Sequence, residues 1–510
     1  MKVVFVLFDS LNRHMLSPYG GTRIPTPNFD RLAKRSTTFD SHYVGSLPCM
    51  PARRDLLTGR LSFLHRSWGP MEPYDNSFPE LLAKSRVYSH LITDHFHYWE
   101  DGGATYHNRY DSYEFIRGQE GDPWKAMVQP HWERLREKYH ERQFSTKRRD
   151  YKAQNIINRE FIKQEEDFPS VQVFKAGMEF IERNREADDW LLQIETFDPH
   201  EPFHAPERFK DAFRTDWTGP IRDWPRYGRV DELPEECEEL RANYYATVAL
   251  CDSLLGDLLD EFDRHDMWKD TALVVTTDHG FLLGEHDFWA KNRMNMYQEI
   301  VHIPLFVHDP RRPDRSGTRS ANLTQTTDLA ATFLDFFDTS PANEMMAPSV
   351  FKSLDEKTHE GLLFGYFGGA VNVTDGTHTY HRYPADLKQQ DINQYTLMPT
   401  HIMSFFTPEE LANASLSEPF SFTKGMPLLK VPVIERSPMN QHYGPGAMIE
   451  GDTRLYDLAA DPGQERSLAD PQLEQQMTDL MIKLMRDLDA PPEAFSRLDV
   501  GSAELAAADH

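Results

Sequence analysis

Four apolar runs in this chain each stop at side chains able to ligate a metal or move a proton. Val3–Phe8 ends in Asp9, and Tyr88–Thr93 ends in Asp94-His95-Phe96-His97. Trp190–Phe197 ends in Asp198-Pro199-His200, and Ala272–Thr277 ends in Asp278-His279-Gly280. Carboxylates and imidazoles are hard or borderline donors suited to Ca²⁺, Mg²⁺ or Mn²⁺. A single aspartate after a strand is more often a helix N-cap, so the recurrence carries the signal and no one position does. A fifth feature is Pro48-Cys49-Met50-Pro51-Ala52-Arg53-Arg54, followed by Asp55-Leu56-Leu57-Thr58-Gly59-Arg60. A lone cysteine is usually a small core residue. Arg53, however, lies four positions after Cys49, which on a helix starting at the motif puts both on one face. Arg54 reads as a surface ion pair.

The elements that must position these groups can be inferred from the same pattern. Short, wholly apolar runs are strands buried on both faces, as in parallel sheets, and such sheets present active sites at their carboxyl edge. Asn28–Lys34, after Pro25 and Pro27, and Asn243–Phe262, with leucines at helical spacing, read as intervening helices. The alternation predicts an α/β catalytic domain over residues 1–365, with a charged helical surface insertion at about 124–167. From 366 to 510 the texture changes. Val371–Tyr383 alternates, a loop-like stretch runs to Tyr443, and Leu473–Leu488 is amphipathic, which predicts a smaller α+β domain with a short antiparallel sheet.

Of 510 residues, 81 are acidic and 55 basic, a formal charge of −26. That balance argues against a nucleic-acid partner, since counterion release needs a basic surface. It also gives an anionic substrate no help from the overall field, so any anion site must be made locally. No apolar run approaches membrane-spanning length, and Met1–Ser10 lacks the longer core of an export signal. Cys49, Cys237 and Cys251 form neither a disulfide framework nor a zinc spacing. The expectation is a cytoplasmic protein without a membrane partner. A homo-oligomer is compatible with an enzyme of this size.

Cys-x-Pro-x-Arg followed by Leu-Leu-Thr-Gly-Arg resembles the signature of the type I sulfatases of the alkaline phosphatase superfamily. The resemblance extends to Thr26–Ala33 (Thr-Pro-Asn-Phe-Asp-Arg-Leu-Ala), Tyr244 through Asp252, Glu299–Leu305, and Leu455–Leu458 with Asp461-Pro462. It implies an alkaline phosphatase-like fold, a large mixed, mostly parallel sheet flanked by helices. It also implies that Cys49 is oxidised to formylglycine by a formylglycine-generating enzyme. The hydrated aldehyde offers two hydroxyls, one to attack sulfur and one to release sulfate by carbon–oxygen cleavage.

By the same resemblance one divalent ion, Ca²⁺ or Mn²⁺, is held by Asp9, Asp278, His279 and residue 49. The usual Asp-Asp and Asp-Asn pairs are here Asp9-Ser10 and Asp278-His279, one carboxylate fewer and one imidazole more. This favours Mn²⁺ modestly and resembles the branch of phosphonate monoester hydrolases. Arg53 would hold the nucleophile, His97 would assist release of sulfate, and His95 stands where a sulfate-contacting lysine is usual. His200 and Lys291, within Pro-His-x-Pro and Gly-Glu-His-x-x-Trp-x-Lys, would serve the leaving group and bind the anion. His204 and His286 read as supporting or surface histidines, and His302 stands where arginine is usual. The implied activity is hydrolysis of a small-molecule or saccharide sulfate ester, of the arylsulfatase kind. Phosphonate monoester or phosphodiester hydrolysis on the same scaffold, or a catalytically silent binding protein, are the alternatives.

Overall fold

The computed structural model describes residues 1–501. Its centre is an eight-stranded sheet: β1 (Lys2–Phe8), β2 (Thr37–Phe39), β3 (Tyr88–Thr93), β4 (Ser112–Phe115), β5 (Trp190–Glu195), β6 (Thr271–Thr277), β7 (Leu305–His308) and β8 (Arg319–Ser320). The spatial order is β8-β2-β7-β6-β1-β5-β3-β4. Every pairing is parallel except those of β7, which runs against both β6 and β2. The sheet is thus mixed and mostly parallel, and β1, β3, β5 and β6, the four apolar runs, point the same way. All seven residues of β1 and of β6 are buried, as strands covered on both faces must be.

Helices pack on both faces of this sheet. On one side lie α1 (Pro27–Arg35), α3 (Pro169–Asn184) and the 31-residue α4 (Pro234–Arg264); on the other lie α2 (Cys49–Thr58) and α5 (Asp328–Phe336). The docking of α1 on α4 explains two of the family-like segments. Asp252 of α4 accepts the backbone N–H groups of Asn28 and Phe29 at 3.0 Å each, satisfying the orphan donors at the start of α1. Gly256 permits that approach, because a Cβ there would sit 2.6 Å from the Asn28 amide.

A second sheet has the order Arg454–Asp457, His378–Arg382, Val371–Thr374, Leu362–Tyr366, Ser46–Leu47. The first three pairings are antiparallel and the last is parallel, Gly365 opposite Ser46 and Tyr366 opposite Leu47. The long helix Pro471–Asp487 covers it through Met477, Met481 and Met485. The stretch up to Tyr443 that reads as a loop holds a three-stranded sheet of Asn393–Thr396, Leu429–Pro432 and Ser415–Leu416. Its strands are only two to four residues long, so alternation is too brief to register as pattern. Within the charged insertion, Trp132–Lys138 and Tyr151–Arg159 are helices around a small core of Leu135, Tyr139 and Ile156. No helix among the described residues is long and apolar enough to cross a membrane.

Candidate active site

Cys49 is the first residue of α2, placed at the sheet's carboxyl edge by the strand Ser46–Leu47 before it. Asp55 ties that lead-in to the helix, accepting the N–H of Ser46 at 2.7 Å and of Ser62 at 2.9 Å. Gly59 closes the helix in the left-handed region at φ 63°, its N–H returned to the Asp55 carbonyl, which is why the motif ends in glycine. The positive end of α2 therefore faces residue 49 and favours negative charge there.

Asp9 and Asp278-His279, one residue past the ends of β1 and β6, converge on that point. A ligand atom from each of Asp9, Cys49, Asp278 and His279 lies within 4.8 Å of the others. The Cys49 sulfur is 3.2 Å from His279 Nε2 and 3.9 Å from Asp9 Oδ1. His279 Nδ1 is 2.9 Å from the Gly280 carbonyl, which turns Nε2 toward the cluster. The Asp9 loop is held from below: Tyr244 of α4 donates to the Ser10 carbonyl at 2.8 Å and accepts from Asn12 N–H at 2.9 Å. Ser10 itself has φ 63°, a conformation that persists only where the surroundings impose it.

Arg53, 1% exposed, sits one helical turn after Cys49 and joins three carboxylates. It donates to Glu195 at 2.8 Å, Asp278 at 2.6 Å, Asp9 at 3.0 Å and the Cys49 carbonyl at 3.1 Å. Lys291, also buried, places Nζ 3.0 Å from Ser10 Oγ, 3.5 Å from the Cys49 sulfur and 3.9 Å from Asp9 Oδ1. Around residue 49 the carboxylates of Asp9, Asp278 and Glu195 outnumber the cations of Arg53 and Lys291. With the His279 imidazole, that donor set fits a divalent metal.

The electrostatics agree. Burial and the Asp9 charge push Asp278 up to about 7. Burial would raise Asp9 too, but Arg53, His200 and Lys291 hold it well below the usual carboxylate range. Burial and then Asp9 push the Cys49 thiol well up, so as a plain thiol it would be a protonated, inert group. Burial works against the Lys291 charge, yet the carboxylates of Glu201, Asp9 and Asp278 keep it above its ordinary range.

A cavity of about 350 Å³ opens above Cys49, with His97, His200 and Lys291 in its wall. His97 Nδ1 is 2.6 Å from Glu100 Oε2, and His200 Nδ1 is 2.6 Å from the Glu201 carbonyl, leaving Nε2 of each for the site. His95 does not reach this wall. Its ring lies fully buried behind Asp9, with Nε2 3.6 Å from Oδ2, packed against Tyr98 and Phe197. His97 follows in the short helical turn Phe96–Trp99, its ring centroid 5.2 Å from that of His95. Arg54 is not at the surface: 5% exposed, it makes a two-point pair with Asp75 at 2.8 and 3.0 Å. Ser10 belongs to the site through Asp9 and Lys291. His302 does not, bonding the Asp40 carbonyl and stacking on Tyr43. His286 pairs with Glu299, and His204 packs against Phe168.

The wall also contains Glu120, Glu201, Trp224 and Tyr227, to which sequence reasoning gave no role. Glu201 is adjacent to His200 and could have been found there. Glu120 sits in a loop without periodicity and had no signal. A larger cavity of about 740 Å³, with Arg23, Arg214, Arg241, Glu238 and Glu285 in its wall, contains none of Asp9, Cys49, Asp278 and His279.

Residues 2–339 match the protein family described as Sulfatase. This chain belongs to the sulfatase family. Among curated relatives, the choline-sulfatase of Rhizobium meliloti (strain 1021) is 26% identical over 362 residues, 64% of this chain and 67% of that protein. Among solved structures, a protein in complex with its substrate D-glucosamine-2-N,6-O-disulfate superposes with a TM-score of 0.66 at 15% identity, covering 96% of this chain and 99% of that one. The phosphonate monoester hydrolase of Agrobacterium radiobacter gives a TM-score of 0.64 at 16% identity, covering 96% of each. At such identities the likeness shows a shared fold. Membership of the family makes this sulfatase a hydrolase acting on sulfate esters.

Proposed function

We propose that this chain hydrolyses sulfate monoesters of small molecules or saccharides, arylsulfatase-like, with residue 49 carried as formylglycine beside a divalent cation. The observation that carries the reading is the meeting of Asp9, Cys49, Asp278 and His279 within 4.8 Å, from three separate places in the chain. The Cys49 sulfur stands where an oxygen of the aldehyde hydrate would lie. A bound cation would neutralise the ester oxyanion and lower the pKa of the attacking hydroxyl. Both Ca²⁺ and Mn²⁺ suit the donors, and the imidazole of His279 tilts the set toward Mn²⁺.

The chain's own residues have separable tasks. Arg53 fixes Asp9 and Asp278 and holds the backbone of residue 49. Lys291 donates to the anionic oxygens, and His200 with Lys291 delivers a proton to the departing alcohol. His97, its Nδ1 engaged with Glu100, offers Nε2 to take a proton from residue 49. His95 positions Asp9. A reducing compartment such as the cytoplasm suits three unpaired cysteines.

Mass spectrometry of the Cys49 peptide tests the reading, on a preparation whose sulfate release has been measured and compared with Cys49→Ala. An intact thiol in an active sample would sink it. Hydrolysis of phosphonate monoesters or phosphodiesters is the second reading, favoured by His279 in the donor set and by the fold shared with a phosphonate monoester hydrolase. Parallel kcat/KM values on aryl sulfate, phosphonate ester and phosphodiester separate the two.

A further inference from the structure

The wall of the cavity above Cys49 carries both signs of charge, Lys291 and Arg293 together with Glu120 and Glu201. The two carboxylates are the unexpected part, since an anionic ester gains nothing from them. A carboxylate oxygen of each and a ring nitrogen of His200 lie within 4.8 Å of one another. Both glutamates are buried, 8% and 1% exposed. Glu201 gives one oxygen to the Tyr227 hydroxyl, while its Oε2, 3.4 Å from His200 Nδ1, makes no hydrogen bond. Glu120 Oε2 makes none either. Two buried acceptors with no donor are costly unless a ligand supplies one.

Glu120 is put there on purpose by the surrounding fold. Its backbone adopts φ 41° and its carbonyl is held by Asn155 Nδ2 at 2.9 Å, while Asn158 Nδ2 holds the Asp122 carbonyl at 2.7 Å. Both asparagines lie on the insertion helix Tyr151–Arg159, so the charged insertion is what presents Glu120 to the cavity. Tyr151 of the same helix, with Trp68, Trp224 and Tyr227, gives the cavity aromatic sides.

Resting on the ester-hydrolase reading above, we infer that Glu120 and Glu201 form a subsite for an alkylammonium group on the leaving alcohol, so that the preferred substrate is a zwitterionic ester. The free carboxylate oxygens accept from an ammonium N–H, and aromatic faces attract the charge of any organic cation. A small second metal ion fits less well. It would need the Nε2 that His200 offers to the leaving group, would share the cavity with Lys291, and would leave the aromatic walls without purpose.

The test compares esters that differ only in charge: 2-aminoethyl sulfate against propyl sulfate, and 2-(trimethylammonio)ethyl sulfate against 3,3-dimethylbutyl sulfate. Wild-type kcat/KM should favour at least one cationic ester by on the order of 30-fold, the worth of one charge-assisted hydrogen bond. The two pairs tell a protonated amine from a quaternary ammonium. In Glu120→Gln and Glu201→Gln the preference ratio should fall to a few-fold. Calorimetric binding of the same four esters to the Cys49 thiol form reads the ratio without turnover. Equal handling of charged and neutral esters overturns the subsite and leaves the hydrolase reading intact. If no ester is hydrolysed by formylglycine-bearing protein, that reading falls and the binding ratio still decides the subsite. A second Mn²⁺ or Zn²⁺ per chain, lost in Glu120→Gln, with no ester preference, also overturns it.

Discussion

Arg53→Met is the perturbation most closely bounded by the geometry. The guanidinium is the shared partner of Asp9, Asp278 and Glu195 at 3.0, 2.6 and 2.8 Å, and all four groups are buried. Breaking one buried pair from one side costs about 3–5 kcal/mol. Three pairs do not triple that, because the carboxylates keep other donors: Tyr98 and Gln193 on Glu195, Ser10 N–H on Asp278, Ser10 Oγ on Asp9. The site can also take up a proton, and Asp278 already stands at about 7. The loss should therefore be about 3–5 kcal/mol at pH 8. At roughly 2.1 cal/mol/K per residue, one cooperative transition of this chain has an unfolding entropy near 1 kcal/mol/K, so Tm should fall by about 3–5 °C. The folded variant would bind a proton that the unfolded chain does not, so its deficit relative to wild type should shrink as pH falls from 8 to 6. Arg53→Lys keeps the charge but cannot reach three carboxylates, and should fall between the two. The assay is thermal and urea unfolding in chelator, repeated with Mn²⁺, which should stabilise Arg53→Met more than wild type. A variant within about 1 °C of wild type in chelator at pH 8 would refute the account of Arg53 as the charge that holds the site together.

Lys291→Ala should lower kcat for sulfate release by about 10²–10³, the usual effect of removing one preorganised donor, with little change in Tm in steady-state and melting assays; a drop confined to KM would count against the role. Stability should also fall steeply on acidification below pH 6.5. Burial, followed by Arg13, Arg60 and Arg454 respectively, pulls His42, His65 and His381 down to about 3. Between pH 3 and 6.5 the unfolded chain binds protons these rings refuse, so each costs about 2 kcal/mol by pH 5, a loss absent above pH 6.5. Urea midpoints from pH 5 to 8 measure it, and His381→Gln should flatten the slope; an unchanged slope contradicts the assignment.

How much was legible follows from which interactions are local. The four strands showed themselves as short, largely apolar segments, most clearly in β1 and β6, which are buried throughout, each ending in side chains able to ligate a metal or move a proton. The cysteine motif was legible because Cys-x-Pro-x-Arg followed by Leu-Leu-Thr-Gly-Arg resembles the sulfatase signature; the structure adds that α2 carries Cys49 and Arg53 on one turn and ends in a left-handed glycine. The sheet within 393–432 was hidden because its strands are only two to four residues long. Arg54 was misjudged because the sequence gives a charge but not the depth at which Asp75 meets it.

Type and spacing alone determined that carboxylate, imidazole, thiol and guanidinium would be offered at strand and helix ends. Only the tertiary structure decided that they share one point, because β1 and β6 are neighbours although some 270 positions separate their ends. It also decided that His95 faces inward behind Asp9 while His97 faces the cavity, and that Glu120 is carried to the same cavity by a helix of the insertion. Those outcomes depend on distances between segments remote in the chain, which no local pattern of residues encodes.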